Sequence, residues 1–130
     1  MPFAAMKHEE DPKEKLLRDV GDISGLEIFN SHVLVAIYIR PQKTKSGIIF
    51  ADQTRDEDKY QGKIGLIIKT GPAAFVDPDG KWFVGSDLKV GDWVMYRASD
   101  GWATKINGVE CRMLADTAVR GRVADVDTVY

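Results

Sequence analysis

The chain has 130 residues, of which 44% are hydrophobic and 29% are charged, a balance typical of one globular domain. Eighteen Lys and Arg against 20 Asp and Glu give a net charge of −2. Because there is no basic excess to neutralise a phosphate backbone, nucleic acid is not expected as a partner. No apolar run approaches the roughly 18 residues of a membrane span, and the apolar N-terminal run is too short for a signal peptide. We therefore expect a cytoplasmic protein.

One segment near the N-terminus carries the signals of a helix. Asp11 can cap it, Pro12 suits the first helical position, and Gly21 can end it. Its apolar residues Leu16, Leu17 and Val20 share one narrow face. The pattern predicts a short helix of about two turns that is largely exposed to solvent.

From residue 31 onward the hydrophobic period changes to two, which predicts β-strands. The predicted strands cover residues 33–39, 64–68, 93–96, 103–106 and 109–114, with a weaker one at 118–123. Asn107-Gly108 is a strong signal for a two-residue hairpin between the fourth and fifth. Short strands at this spacing predict an all-β barrel or sandwich, small and partly open.

Two connections are longer than a compact domain needs. Residues 41–61 are polar and charged except for Ile48-Ile49-Phe50, and residues 71–87 hold Phe75, Trp82 and Phe83 around a turn at 77–80. A loop of about twenty residues within a small domain is either functional or disordered.

No catalytic, nucleotide or metal site is predicted, and we expect a protein that is not an enzyme. His8 and His32 have no nucleophile at a recognisable spacing. Asp77 and Asp79 lie in a sequence typical of a turn, and residues 56–58 lack the glycine and distal glutamate of a calcium loop. The single cysteine, Cys111, lies in a strand pattern and is expected to be a packed residue.

The apolar triplet Ile48-Ile49-Phe50 has two interpretations. One is a short edge strand packed on the core, the commoner outcome for such residues. The other is a flexible arm with an apolar hook for a partner's groove, in which Gly47 gives the backbone freedom. Burying the three side chains would contribute roughly 5–8 kcal/mol, and ordering the loop would cost about as much. One arm would bind weakly, so the hook requires several linked copies.

The order of these features resembles the GroES-type co-chaperonin family. The resemblance rests on a first strand, then the segment at 44–50 in a charged loop, then Gly62-Lys63-Ile64 leading a strand, and finally the Lys-Val-Gly-Asp turn at 89–92. It covers about three quarters of the chain. It implies a GroES-like barrel over residues 29–123, with a mobile loop at 41–61 and a roof loop at 71–87.

The resemblance also implies a function and partners. Family members form a seven-membered dome-shaped ring that caps an ATP-loaded chaperonin of the GroEL type and encloses client proteins. ATP belongs to the chaperonin, and no cofactor is expected on this chain. The hook role falls to Ile48, Ile49 and Phe50, with Gly47 as hinge. The first strand of one subunit, at 33–39, is expected to pair with the last strand of its neighbour, at 118–123, since both edges would otherwise be unpaired.

The chain departs from the family pattern at several points. Residues 1–28 form an N-terminal extension without a counterpart, and residues 124–130 are expected to be a frayed acidic tail. Phe50 replaces a usual aliphatic residue. The aromatic residues of the roof loop either line the dome or pack on each other. These departures suit a co-chaperonin from a bacteriophage or a distant bacterium. The alternative function is a structural or assembly protein that uses the same barrel without binding a chaperonin.

Overall fold

One α-helix and six β-strands make up the computed structural model, which describes residues 10–40, 63–77, 83 and 87–128. The elements in chain order are α1 (Pro12–Val20), β1 (His32–Ile37), β2 (Ile64–Thr70), β3 (Trp93–Met95), β4 (Trp102–Ile106), β5 (Val109–Ala115) and β6 (Gly121–Val123). Two single turns of 3-10 helix, Asp116–Ala118 and Val126–Thr128, flank β6.

The predicted helix is confirmed as α1. The Asp11 carboxylate accepts a hydrogen bond from the Glu14 backbone N–H at 3.4 Å, and Pro12 occupies the first turn. Gly21 ends the helix with φ at +69°, a conformation that glycine adopts without strain. Most of the helix is exposed to solvent as expected, but Val20 is buried.

The strands form one antiparallel sheet in the order β4-β5-β1-β2-β3-β6. The order ends on β4 and β6, so the sheet is an open barrel, and the all-β prediction is confirmed. Asn107 and Gly108, with φ at +50° and +82°, form the predicted hairpin between β4 and β5. Two consecutive positive φ angles are what a type I′ turn requires.

The expectation that the first strand has an unpaired edge is wrong. β1 lies inside the sheet, where Ala36 pairs with Leu66 of β2 on one side and with Cys111 of β5 on the other. The last strand is shorter than predicted, because Asp116–Ala118 is a helical turn, and β6 pairs with β3 of the same chain. These partners are distant in sequence, so periodicity alone could not identify them.

Both faces of the central strands β1 and β2 are buried. The first core comprises Val20, Ile28, Leu34, Ala36, Tyr38, Ile64, Leu66, Ile68, Trp93, Cys111, Val123 and Val126. The second core comprises Val33, Val35, Ile67, Val94, Tyr96 and Leu114. Alternate residues of β1 therefore enter different cores, because side chains of a strand alternate in direction. Residues 16–28 pack against the first core, while Phe75 and Leu88 pack against the second.

The acidic C-terminal stretch is ordered in its described part. Val126 is 5% exposed and belongs to the first core, and the Thr128 backbone N–H donates to the Asp125 carbonyl oxygen at 3.1 Å. The expectation of a frayed tail is therefore wrong for residues 124–128. The apolar side chain of Val126 is what anchors it.

Candidate functional site

The long segment between β1 and β2 leaves and rejoins the barrel at neighbouring positions. The Tyr38 backbone N–H donates to the Ile64 carbonyl oxygen at 3.0 Å, just before the segment and just after it. On the other side of the returning chain, the Tyr96 backbone N–H donates to the Lys63 carbonyl oxygen at 3.0 Å. Both ends of the segment are thus fixed to the sheet.

The predicted hook residues Gly47, Ile48, Ile49 and Phe50 lie outside the described residues. Their role in binding therefore stays a prediction. The structure describes the base of this segment, where residue 40 follows β1 and residue 63 precedes β2, two adjacent strands of the sheet.

A pair of aromatic rings lies under this base. Tyr38 and Trp93 meet edge to face, with centroids 5.6 Å apart and ring planes at 76°. Both side chains are buried in the first core. Such a pair contributes about 0.5–1.5 kcal/mol beyond the area that it buries. The end of β1 is thereby fixed to β3, two strands away in the sheet.

The start of the predicted roof loop is held by a buried carboxylate. Asp116, 6% exposed, accepts a hydrogen bond from the Phe75 backbone N–H at 3.0 Å. Phe75 has φ at +60°, a region that residues with a side chain rarely adopt. The Ala73 backbone N–H also donates to the Asn30 carbonyl oxygen at 2.9 Å, so this turn is fixed at two points.

Two of the three predicted roof-loop aromatics come together. The rings of Phe75 and Phe83 meet edge to face at a centroid distance of 5.5 Å and an angle of 90°. The Phe83 backbone N–H donates to the Asp77 carboxylate at 3.0 Å. Trp82 lies outside the described residues, so both alternatives for it, packing on these rings or lining the dome, stay predictions.

The Lys-Val-Gly-Asp motif is the tight turn that leads into β3. The Asp92 carboxylate accepts from the Lys89 backbone N–H at 3.1 Å and closes the turn. Gly91 has φ at +99°, and its N–H donates to the Ile67 carbonyl oxygen at 2.8 Å. The motif therefore has a structural role, because the turn needs a glycine at a positive φ and an acceptor side chain after it.

An ion pair connects the last strand to the end of the roof-loop segment. Arg122 Nη1 lies 2.7 Å from Asp87 Oδ1 and 3.6 Å from Asp92 Oδ2. The hydrogen bond from Arg122 lowers the pKa of Asp87 below its ordinary value. Both partners are exposed, so the pair orients β6 more than it stabilises the fold.

Of the remaining chemical candidates, Cys111 and His32 lie within the described residues, and His8 lies outside them. Cys111 is buried, and burial raises its pKa to about 11, which keeps the thiol protonated and unreactive near neutral pH. The prediction that Cys111 is a packed residue is confirmed. His32 is exposed at the start of β1, with Nδ1 3.2 Å from the Phe29 carbonyl oxygen.

Within the described ranges, no group of three or more His, Cys, Asp or Glu side chains is arranged to hold a metal ion. The same part of the chain contains no helix long and apolar enough to cross a membrane.

Sequence reasoning missed three long-range hydrogen bonds that hold the barrel around the site. Asp116 fixes Phe75, Asn107 Nδ2 donates to the Val20 carbonyl oxygen at 2.5 Å, and Lys69 Nζ donates to the Ile23 carbonyl oxygen at 2.8 Å. Each bond joins positions more than forty residues apart. No local pattern predicts such contacts, because they depend on the topology of the sheet.

The structure thus defines a class of protein: a small open antiparallel barrel with a long connection between its first two strands. The family model described as "Chaperonin 10 Kd subunit" matches residues 26–123. This chain belongs to that family, and the resemblance found in the sequence is confirmed.

Curated relatives agree with this assignment. Co-chaperonin GroES 2 of Rhodopseudomonas palustris is 36% identical over 85 residues, which are 65% of this chain and 76% of that protein. Co-chaperonin GroES of Pelagibacter ubique is 33% identical over 92 residues, covering 71% of this chain and 90% of the relative. The Methylobacillus flagellatus co-chaperonin GroES is 36% identical over 91 residues, with coverage of 70% and 88%.

Proposed function

We propose that this protein is a co-chaperonin, a lid without enzymatic activity that caps an ATP-loaded chaperonin of the GroEL type and assists the folding of client proteins. The observation that carries the proposal is the family match over residues 26–123, which includes all six strands. The relatives that cover most of this barrel are named co-chaperonin GroES. ATP is bound by the partner in this proposal, and this chain needs no cofactor.

The chaperonin contact is assigned to Ile48, Ile49 and Phe50, with Gly47 as the hinge. The fixed base of the segment supports this assignment, because Tyr38 and Ile64 are hydrogen-bonded at its two ends. An apolar triplet on a tethered segment can enter a groove while the barrel stays intact. Phe50 is bulkier than an aliphatic residue, so the groove that accepts it must be wide at this position.

The lid is proposed to be a homo-oligomer, a seven-membered ring. A single apolar triplet binds weakly because ordering its loop offsets most of what burial contributes. Seven linked triplets that bind one partner together overcome the weak binding of each one, since linkage raises affinity without new contacts. Among the described strands, β4 and β6 end the sheet order, so their outer edges can take part in pairing between subunits. The roof loop with Phe75, Trp82 and Phe83 would close the top of the ring.

The experiment is size-exclusion chromatography of the full chain mixed with a bacterial chaperonin, run with ATP and without nucleotide. We expect co-elution that depends on the nucleotide, because the cap forms on the ATP-loaded state. The control is each protein alone under both conditions.

Two other outcomes separate the alternatives. A ring that never co-elutes with the chaperonin contradicts the lid and favours the assembly protein that uses the same barrel. A chain that forms neither ring nor complex contradicts the mechanism as a whole.

A further inference from the structure

The N-terminal segment crosses the open side of the barrel. At the start of α1, Lys13 shares the lining of a shallow cleft of about 260 Å³ with Trp93, Arg122 and Val123, which belong to β3 and β6. At the end of α1, the Val20 carbonyl oxygen accepts a hydrogen bond from Asn107 Nδ2 at 2.5 Å. Asn107 lies in the turn between β4 and β5, so the helix extends from one end of the strand order to the other.

A second hydrogen bond to the sheet lies beyond the helix. Lys69 Nζ of β2 donates to the Ile23 carbonyl oxygen at 2.8 Å, and the chain then buries Ile28 to 6% exposure. We refer to residues 10–28 as the strap. It is hydrogen-bonded to the turn between β4 and β5 at one end of the strand order and to β2 in the middle, and it shares a cleft with β3 and β6 at the other end. It also buries Val20 to 2% exposure.

The strap covers apolar residues that the sheet leaves uncovered. The first core takes side chains from β1, β2, β3, β5 and β6, all on the face on which the strap lies. Leu16, Ile23 and Leu26 of the strap pack against them as well. The family match begins at residue 26, so nearly all of the strap lies outside the family's common barrel.

We infer that the strap completes the first core within one chain, so that a single subunit keeps its native fold without neighbouring copies. A sheet that is open at β4 and β6 would otherwise expose this core until another surface covered it. This inference rests on the proposed function in one respect: it takes the proposed ring as the assembly that a subunit does not need in order to fold.

Cys111 is a built-in reporter of this core. It is the single cysteine of the chain, it is fully buried, and it lies in the same core as Val20. A disulfide-exchange reagent that reacts with free thiols can reach it only when the core opens. The labelling rate under native conditions therefore measures the fraction of molecules in which the core is open.

Two substitutions on one helix form a matched pair. Val20→Ala removes two buried methyl groups, and we expect Cys111 labelling to rise about thirtyfold. Leu17→Ala removes a side chain that is 41% exposed, and we expect the labelling rate to stay that of the wild type.

A third substitution tests the hydrogen bond at the end of the helix. Asn107→Gly keeps a residue suited to a positive φ but removes the donor to Val20, and we expect Cys111 labelling to rise about fivefold. Circular dichroism confirms that each variant is folded.

Dilution of the full chain supplies the decisive measurement. We expect Cys111 to be labelled equally slowly in samples that light scattering shows to be assembled and in samples that it shows to be monomeric. Labelling of the dilute monomer at the rate of the urea-unfolded chain would overturn the inference, and so would a Val20→Ala variant that labels like the wild type. A chain that is slowly labelled but never assembles would support the strap and contradict the proposed ring.

Discussion

The Phe75 backbone N–H donates to the Asp116 carboxylate at 3.0 Å, across 41 positions of the sequence. The Asp116 backbone N–H in turn donates to the Ser31 carbonyl oxygen at 3.0 Å, so this residue joins the end of β5, the start of β1 and the turn at 71–77. A phenylalanine at a φ of +60° is held against a cost of about 1–2 kcal/mol. The hydrogen bond that the Phe75 N–H donates to the buried carboxylate offsets that cost.

Replacing Asp116 is expected to destabilise the fold. Asp116→Ala leaves the partly buried Phe75 N–H without its acceptor and should lower the free energy of unfolding by about 1–3 kcal/mol in urea titration. Asp116→Asn retains a carbonyl oxygen at the same place and should lose less. If the alanine variant unfolded at the urea midpoint of the wild type, the turn would not depend on this carboxylate.

Gly65 marks a close approach between two central strands. A Cβ built at this position would lie 2.8 Å from Val35 Cβ and 2.9 Å from Val35 Cγ2, inside van der Waals contact. Gly65→Ala should therefore cost about 1–3 kcal/mol by overpacking, measured by thermal or urea unfolding. Gly25→Ala is the control, because nothing lies within 4 Å of its Cβ position. Equal stability of the two variants would contradict the packing described between β1 and β2.

The stability of the fold should decline at alkaline pH because of Cys111. Burial raises the pKa of this thiol from 9.0 to about 11, so the folded state holds its proton where the unfolded chain releases it. The contribution is fully present below pH 9 and is lost as pH rises toward about 11. The measurement is the free energy of unfolding of the wild type and of Cys111→Ala over this range.

Subtracting the free energy of unfolding of Cys111→Ala from that of the wild type cancels the contribution of tyrosine and lysine titration, because both chains contain the same tyrosines and lysines. We expect the stability advantage of the wild type over Cys111→Ala to shrink as pH rises. A difference that stays constant up to about pH 11 would show that the thiol is not desolvated in the folded state.

Local signals in the sequence were sufficient to predict the helix and the strands. Asp11, Pro12 and Gly21 set the limits of α1, and Asn107-Gly108 set the hairpin, because each acts within a few residues of itself. The alternation of residues 33–39 predicted β1 correctly as a strand. It did not show that both faces are buried, since that requires knowing what covers each face.

Contacts between distant segments were not predictable. The pairing of β1 on both sides depends on the sheet order, and the family expectation of an unpaired edge was wrong for this chain. The sequence places Val20 in a narrow apolar stripe on a helix that is predicted to be largely exposed. In the structure, however, Val20 is only 2% exposed. Its burial depends on β4 and β5, more than eighty residues further along the chain.

The segment between β1 and β2 should be the first site of proteolysis in the free protein. The segment contains four trypsin sites, Lys43, Lys45, Arg55 and Lys59, and the proposed mobile loop would expose them to the protease. Lys69 is the internal control, because it is hydrogen-bonded within the barrel. Mass spectrometry of the first fragments identifies the cut sites. Resistance of the four sites would indicate a packed arm, as in the assembly-protein alternative.

Bound chaperonin should protect the same sites. The proposed capping would bury the apolar triplet and order the segment around it, so trypsin cleavage should slow in the complex formed with ATP. A mixture without nucleotide is the control, because no cap is expected there. Cleavage at the same rate in both mixtures would place the chaperonin contact elsewhere on the chain.

Ile49→Asp is the substitution that tests the proposed hook. A carboxylate cannot enter an apolar groove without losing its hydration, so nucleotide-dependent co-elution with the chaperonin should be abolished. Thr54→Asp adds the same charge to the same segment at a polar position and should leave co-elution intact. The ring and the unfolding midpoint of Ile49→Asp should match the wild type, since the hook is proposed to lie outside the barrel. If Ile49→Asp instead lost its fold or its ring while Thr54→Asp kept both, the triplet would be part of the core, as in the edge-strand interpretation.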